Sequence, residues 1–241
     1  MNTKTPKYLI AVQKSQNGGT TWSRAKIIAP FDSVAVTDPV TGKMIRGGGD
    51  ALPEVAINKR TGELFVVWQS AKFSGGKYDE IAITHSVDGG RTWSAPVRVN
   101  PALGRAAFTP MVSVNHNGAV GVSYYMINCN HHSKNRLPVD YWFTYSTNDG
   151  RTFIPPLHIA GPFNMLRAPE AVPPFVLGLF IGDYQGIAAF HNDFHLFFSK
   201  VNSPSQKDSV DVYTTVVRVN GSRSLFTNIL RGVDLTQTLD K

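Results

Sequence analysis

The chain has 241 residues, with 24 Lys+Arg against 17 Asp+Glu, giving a formal net charge of +7 at pH 7. Hydrophobic residues make up 42% and charged residues 17%, which excludes a disordered polyelectrolyte and leaves enough apolar side chains for a single domain with a sizeable core. The longest apolar run, Phe175 to Gly182, is far short of the ~20 residues a helix needs to cross a bilayer, so no membrane insertion is expected.

Taken in chain order, the residues alternate as strands do. Tyr8–Val12 and Lys26–Ile28 flank the octet Ser15-Gln16-Asn17-Gly18-Gly19-Thr20-Thr21-Trp22. Glu54–Ile57 and Leu64–Trp68 flank the turn Asn58–Gly62, and Ile81–Thr84 and Val97–Val99 flank a second octet, Ser86-Val87-Asp88-Gly89-Gly90-Arg91-Thr92-Trp93. Met111–Val114 and Ala119–Tyr125 flank Asn115–Gly118. Tyr141–Tyr145 then leads into a third octet, Ser146-Thr147-Asn148-Asp149-Gly150-Arg151-Thr152-Phe153. Gly186–Phe190, Phe194–Phe198 and Val210–Val217 are the last strands. Asn220-Gly221 sits where a degenerate fourth octet would fall, and Leu225-Phe226 with Ile229-Leu230 reads equally as a helix or a final strand. About thirteen or fourteen strands are counted in this way.

The octets begin 71 and 60 residues apart and share the pattern Ser-x-(Asp/Asn)-x-Gly-x-Thr-aromatic. Recurrence at this scale is the mark of a repeat architecture. The chemistry is that of a self-bonded turn: Ser and Asp/Asn bond nearby backbone, Gly takes a positive φ, and the aromatic ring folds back to bury its face. One unit is thus four antiparallel strands with the octet between the third and fourth. Four-stranded units in series predict a β-propeller.

On these octets the chain resembles the sialidase-like BNR/Asp-box repeat propellers, and Ile181–Gly186 (Ile-Gly-Asp-Tyr-Gln-Gly) resembles a stretch found in bacterial members. The Asp position is Asn in the first and third octets, and the Arg-Ile-Pro segment that opens a catalytic sialidase domain is absent from the sequence. The fold expected is an all-β sialidase-like propeller, apparently incomplete, in a single domain over residues 1–241. Its units fall roughly at 1–30 (partial), 50–100, 105–160 and 181–230. Sheet edges left open by such an arc predict either a homodimer or a missing propeller segment.

Topology sorts the loops. The octets lie on one face, with Arg60, Arg91 and Arg151. The long Gly/Pro-rich connections lie on the other, with Arg46, Arg105, Arg136, Arg167, Asp32, Asp38, Asp50, Asp79, Asp140, Glu170, Asp183 and Tyr184. Long loops on a rigid scaffold are where sites are built. The resemblance implies a carboxylate sugar held by convergent arginines, here Arg105, Arg136 and Arg167 with Arg46 and Asp183 beside them. It also implies a Tyr nucleophile with a Glu (Tyr184 and Glu170) and an acid/base Asp (Asp50). Planar guanidinium groups suit a carboxylate, and Tyr nucleophiles are an attested variant of glycoside hydrolysis.

Two functions follow: a glycan-engaging propeller acting as an exo-α-sialidase-type hydrolase, or a catalytically silent binding or assembly module. The expected ligand is a glycan or other anionic small molecule. Basic residues are dispersed rather than clustered, which argues against nucleic acid. Cys129, His131 and His132 are potential metal ligands, but adjacent histidines on a loop point apart, and His191-x-x-x-His195 has the helical zinc-site spacing but spans a β-turn, so no metal or cofactor is expected. The polar start shows no secretory signal, and one cysteine leaves the compartment open. Trp68, Tyr124, Tyr125, Trp142 and Phe197 are expected in the blade core.

Overall fold

A computed structural model of the protein describes residues 8–45, 52–128, 130, 132–171, 178–220, 223–226 and 230–231. Arg46, Asp50, Cys129, His131 and Gly221 lie outside these residues. β1 (Tyr8–Val12) and β2 (Lys26–Phe31) form a two-stranded sheet. β3 (Glu54–Ile57), β4 (Leu64–Ser70), β5 (Glu80–Ser86) and β6 (Val97–Arg98) form a four-stranded antiparallel meander. β7 (Ala107–Val114), β8 (Val120–Ile127), β9 (Pro138–Ser146) and β10 (Leu157–Asn164) form another. β11 (Glu170–Ala171) and β12 (Gly178–Leu179) pair apart from these. The last sheet runs β13 (Gly186–Phe190), β14 (Asp193–Val201), β15 (Val210–Asn220) and β16 (Arg223–Phe226), with β17 (Leu230–Arg231) also on β15.

The architecture is the expected all-β arc of propeller blades: the outer two strands of one blade, then three full sheets. Strands outnumber the expected count because β11, β12 and β17 are too short to alternate visibly. The Leu225-Phe226 ambiguity resolves as strand. β7 starts four residues before Met111 because its register shifts between Phe108 and Met111, where Thr109 takes φ 49°. A bulge with a β-branched residue in the left-handed region is invisible to an alternation count.

All three octets form the same turn. In each, the Ser hydroxyl donates to the Asp/Asn carbonyl or carboxylate oxygen and accepts from the Gly N–H, at 2.8 Å in the first two and 3.0 Å in the third. The same Asp/Asn oxygen accepts the Thr N–H at 2.8–3.0 Å. The glycines hold φ of 89°, 85° and 74°, as the turn requires. The Trp22 and Trp93 indole N–H groups close back on the Gly19 and Gly90 carbonyls. The rings bury unequally: Trp93 and Phe153 pack against the clusters shared with the preceding sheet, whereas Trp22 is 61% exposed.

The sheets stack face to face, and alternation along β4 shows how. Val66 and Trp68 face Ile10 and Ala29 of the first sheet, while Phe65 and Val67 face Val112, Val120, Val122 and Tyr124 of the third. The third and last sheets meet through aromatic pairs, Tyr141 on Phe198 at 4.3 Å and Phe143 on Phe194 at 5.2 Å. Each such ring removed from water contributes on the order of 2–3 kcal/mol. Trp68, Tyr124 and Tyr125 are buried as expected, whereas Trp142 is half-buried and Phe197 is 52% exposed. Phe197 lies on the side of the last sheet that faces away from the third.

Candidate functional site

The long connections gather at one end of the stack, and the segment 32–45 organises them. Asp79, fully buried before β5, accepts from the Ser33 hydroxyl, from the Val34 N–H at 2.9 Å and from the Gln69 amide at 3.2 Å. Burial pushes the Asp79 carboxyl above its ordinary range, against the opposing pull of these donors. Gln69 in turn accepts the Thr109 N–H at 2.7 Å, which fixes the bulged start of β7. Asp38, also fully buried, accepts from the Thr41 hydroxyl and from the Val40 N–H at 3.0 Å, and lies 2.7 Å from His132 Nε2. Burial raises its carboxyl, but these partners together outweigh burial and hold it below the ordinary value. Further along, Lys43 pairs with Glu170, and Ile45 bridges in parallel to Leu179.

Between these loops lies a cavity of about 220 Å³, lined by Val36, Pro39, Lys77, Tyr78, Asp79 and Arg105 among others. Arg105 Nε is buried there with no hydrogen-bond partner. An unsatisfied guanidinium N–H costs roughly 1–3 kcal/mol or more, and an acceptor entering the cavity would relieve it.

The sequence candidates divide among three places. Arg105 sits in this cavity, and among its described lining residues there is no Arg136, Arg167, Glu170, Asp183 or Tyr184. Arg136 is exposed in a turn closed by reciprocal backbone bonds with Ser133, and Arg167 is exposed at the end of the 3-10 turn Met165–Arg167. Asn164 ties those two segments together, accepting from the Leu137 and Leu166 N–H groups and donating to the Asn135 carbonyl at 3.1 Å. Glu170 is exposed and ion-paired with Lys43, Asp183 is half-buried, and Tyr184 is 62% exposed. Lys77, Tyr78 and the structural part of Asp79 escaped the sequence reading. The Asp79 bonds to Ser33 and Val34 span some 45 residues and leave no local trace in the sequence. Among the described residues no group of three His, Cys, Asp or Glu is disposed to hold a metal ion.

No family model matches the chain, and none of the curated proteins compared does. Solved structures share its fold. The α-L-arabinanase of Penicillium chrysogenum, solved with arabinobiose, superposes with a TM-score of 0.50 at 17% identity over 83% of this chain and 55% of its own. A Hadza microbial sialidase gives 0.47 at 14% identity over 74% of this chain and 37% of its own. The leech intramolecular trans-sialidase, complexed with 2,7-anhydro-Neu5Ac, gives 0.46 at 12% over 92% and 29%. The chain therefore spans little more than half of the arabinanase and about a third of each sialidase.

Proposed function

We propose that the protein is a glycan-engaging propeller whose ligand enters the long-loop face and meets Arg105. The observation that carries this reading is the cavity under segment 32–45, where a buried guanidinium N–H has no protein partner beside Tyr78 and Lys77. A cavity with one aromatic wall and fixed donors is the usual form of a small-ligand site. The two cations select for a carboxylate or another anionic group on the sugar. Arg136 and Arg167, on segments joined by Asn164, supply further positive charge on the same face, and with Arg46 and Asp183 remain the proposed sugar-binding set.

The catalytic part of the proposal, an exo-α-sialidase-type step with Tyr184 as nucleophile, Glu170 as its base and Asp50 as acid/base, has less support. Glu170 is held by Lys43, and the exposed Tyr184 hydroxyl has no base bonded to it among the described residues. A phenol needs such a base to attack. This favours binding without appreciable turnover, as in a silent module.

Titration of acidic and neutral oligosaccharides, read by calorimetry, tests the reading. The acidic sugar should bind more tightly, and Arg105→Ala should weaken it by roughly 1.5–3 kcal/mol, the range for a hydrogen bond to a charged group. Equal affinity for both sugars, or an unchanged affinity in the variant, overturns it. Fluorogenic sialoside hydrolysis abolished by Tyr184→Phe would instead establish the enzyme.

A further inference from the structure

The face that carries the octets, opposite the candidate site, brings together cations that are dispersed in the sequence. Lys14 of the first sheet reaches over the second octet, where a Cβ placed on Gly89 would lie 3.5 Å from its Nζ. Lys26 crosses the same seam and donates to the Arg91 carbonyl. Arg60, in the turn between β3 and β4, reaches the corresponding turn of the third sheet, where a Cβ on Gly118 would lie 3.6 Å from its Nη2. That third-sheet turn is tied to the last sheet: the His116 N–H donates to the His191 carbonyl at 2.8 Å, and the Asn115 amide to the Asn192 carbonyl at 3.0 Å. The turns of successive sheets thus touch in one row.

Charge is uneven along this row. Lys14, Lys26, Lys59, Arg60 and Arg91 are exposed, and among the described residues none of the five forms an ion pair. The two acids of the same turns are half-buried and engaged by the turns themselves. Glu63 accepts from the Thr61 hydroxyl at 2.9 Å and the Asn58 amide at 3.3 Å, and Asp88 from the Thr92 N–H and hydroxyl. They offset part of the charge and leave an excess of three positive charges on rigid turns. Like charges fixed side by side repel one another, and a polyanion laid across them relieves that repulsion.

We propose that the octet face binds an acidic polysaccharide, a linear sugar chain carrying carboxylate or sulfate groups. The surface is separate from the long-loop cavity and does not depend on a ligand there. Spacing decides against nucleic acid. Stacked sheets lie roughly 10 Å apart, so cations on successive turns match anionic groups spread along a chain at about that interval. A DNA duplex carries a charge every ~1.7 Å of its axis, and most of its phosphates would face no cation. Because the turns are already fixed by their own hydrogen bonds, binding orders little of the protein backbone.

The probes are polygalacturonate for carboxylates and dextran sulfate for sulfates, with neutral dextran as control, titrated into the intact protein at two salt concentrations. One or both acidic polymers should bind, dextran should not, and affinity should fall steeply with added salt. Lys59→Gln with Arg60→Gln and Arg91→Gln should weaken that binding roughly tenfold or more and flatten its salt dependence. The three side chains are exposed, so the thermal midpoint should match the parent, and Arg60→Lys with Arg91→Lys, which keeps the charge, should keep the affinity. Arg105→Ala should leave polymer binding unchanged. Binding that survives the triple substitution but is lost in Arg105→Ala overturns the proposal and puts the polymer in the long-loop cavity. No binding of either acidic polymer at about 1 mM sugar also overturns it. A DNA duplex that binds more tightly than both polymers at the same salt, and is lost in the triple variant, overturns it in favour of nucleic acid.

Discussion

Asp88 and its two asparagine counterparts show how a single atom is exchanged without loss of a turn. Asp88 accepts from both the N–H and the hydroxyl of Thr92, and these bonds hold its carboxyl well below the ordinary range. In the other octets the Asn17 and Asn148 amides donate to the Thr21 and Thr152 hydroxyls at 2.9 and 2.8 Å. The hydroxyl reverses from donor to acceptor, so every partner stays satisfied. Asp38 has no such freedom, since Thr41, Val40 and His132 all present themselves to a carboxylate. Its lowered native value means that the ionised form is favoured in the fold relative to the unfolded chain. That stabilisation is complete above the unfolded aspartate value of about 3.9 and is lost as pH falls through the lower native one. Asp38→Asn should therefore be less stable than the parent at neutral pH, and the two should converge as pH falls below about 3.9. Denaturant melts across this window check it; a gap that stays constant down to strong acid would show that the carboxylate charge is not what Asp38 contributes.

Where sheets meet, backbone and ring come into direct contact at Gly121 on β8. A Cβ placed there would lie 2.6 Å from the Phe194 ring. Phe194 is fully buried against Phe143, so the ring has no room to retreat. Gly121→Ala should destabilise the protein by roughly 1–3 kcal/mol, the usual cost of overpacking, and Gly121→Ala with Phe194→Leu should recover part of the loss. A neutral single variant would mean the sheets slide freely past each other. What was legible in the sequence follows from range. The octets were readable because each bond spans two to four residues, and the strands because burial on one face writes itself as alternation. Gly121 gave no such signal, since its partner is 73 residues away. The same holds for the loop face: Arg105 could be placed on it by topology, but its cavity depends on Asp79 reaching back to Ser33 and Val34. Phe197 was misjudged because alternation says that a side chain faces one side of a sheet, not that anything covers that side.

Among the described residues the extended apolar interfaces join sheets that are neighbours in sequence order, so stability should vary along the stack as in other repeat proteins. The third sheet is clamped on both faces, and every residue of β8 is buried. Among the described residues the last sheet is packed on one side, with Phe190 65%, Phe197 52% and Val212 47% exposed on the other. The first sheet has two strands and buries little beyond Ile10 and Ala29. Opening β1 and β2 exposes a few apolar side chains, whereas opening β8 or β9 strips two interfaces at once. Native-state hydrogen exchange should therefore rank the sheets, with β8 and β9 slowest and exchanging only by global unfolding. β14 and β15 should be intermediate, and β1 and β2 fastest through a local opening that leaves the rest intact. Because that opening exposes little surface, exchange of β1 and β2 should also depend only weakly on denaturant, while that of β8 and β9 should follow the full unfolding slope. If these three sheets instead exchange with one free energy and one denaturant slope, the stack folds as a single unit. Its end sheets would then be held by contacts beyond the apolar interfaces described.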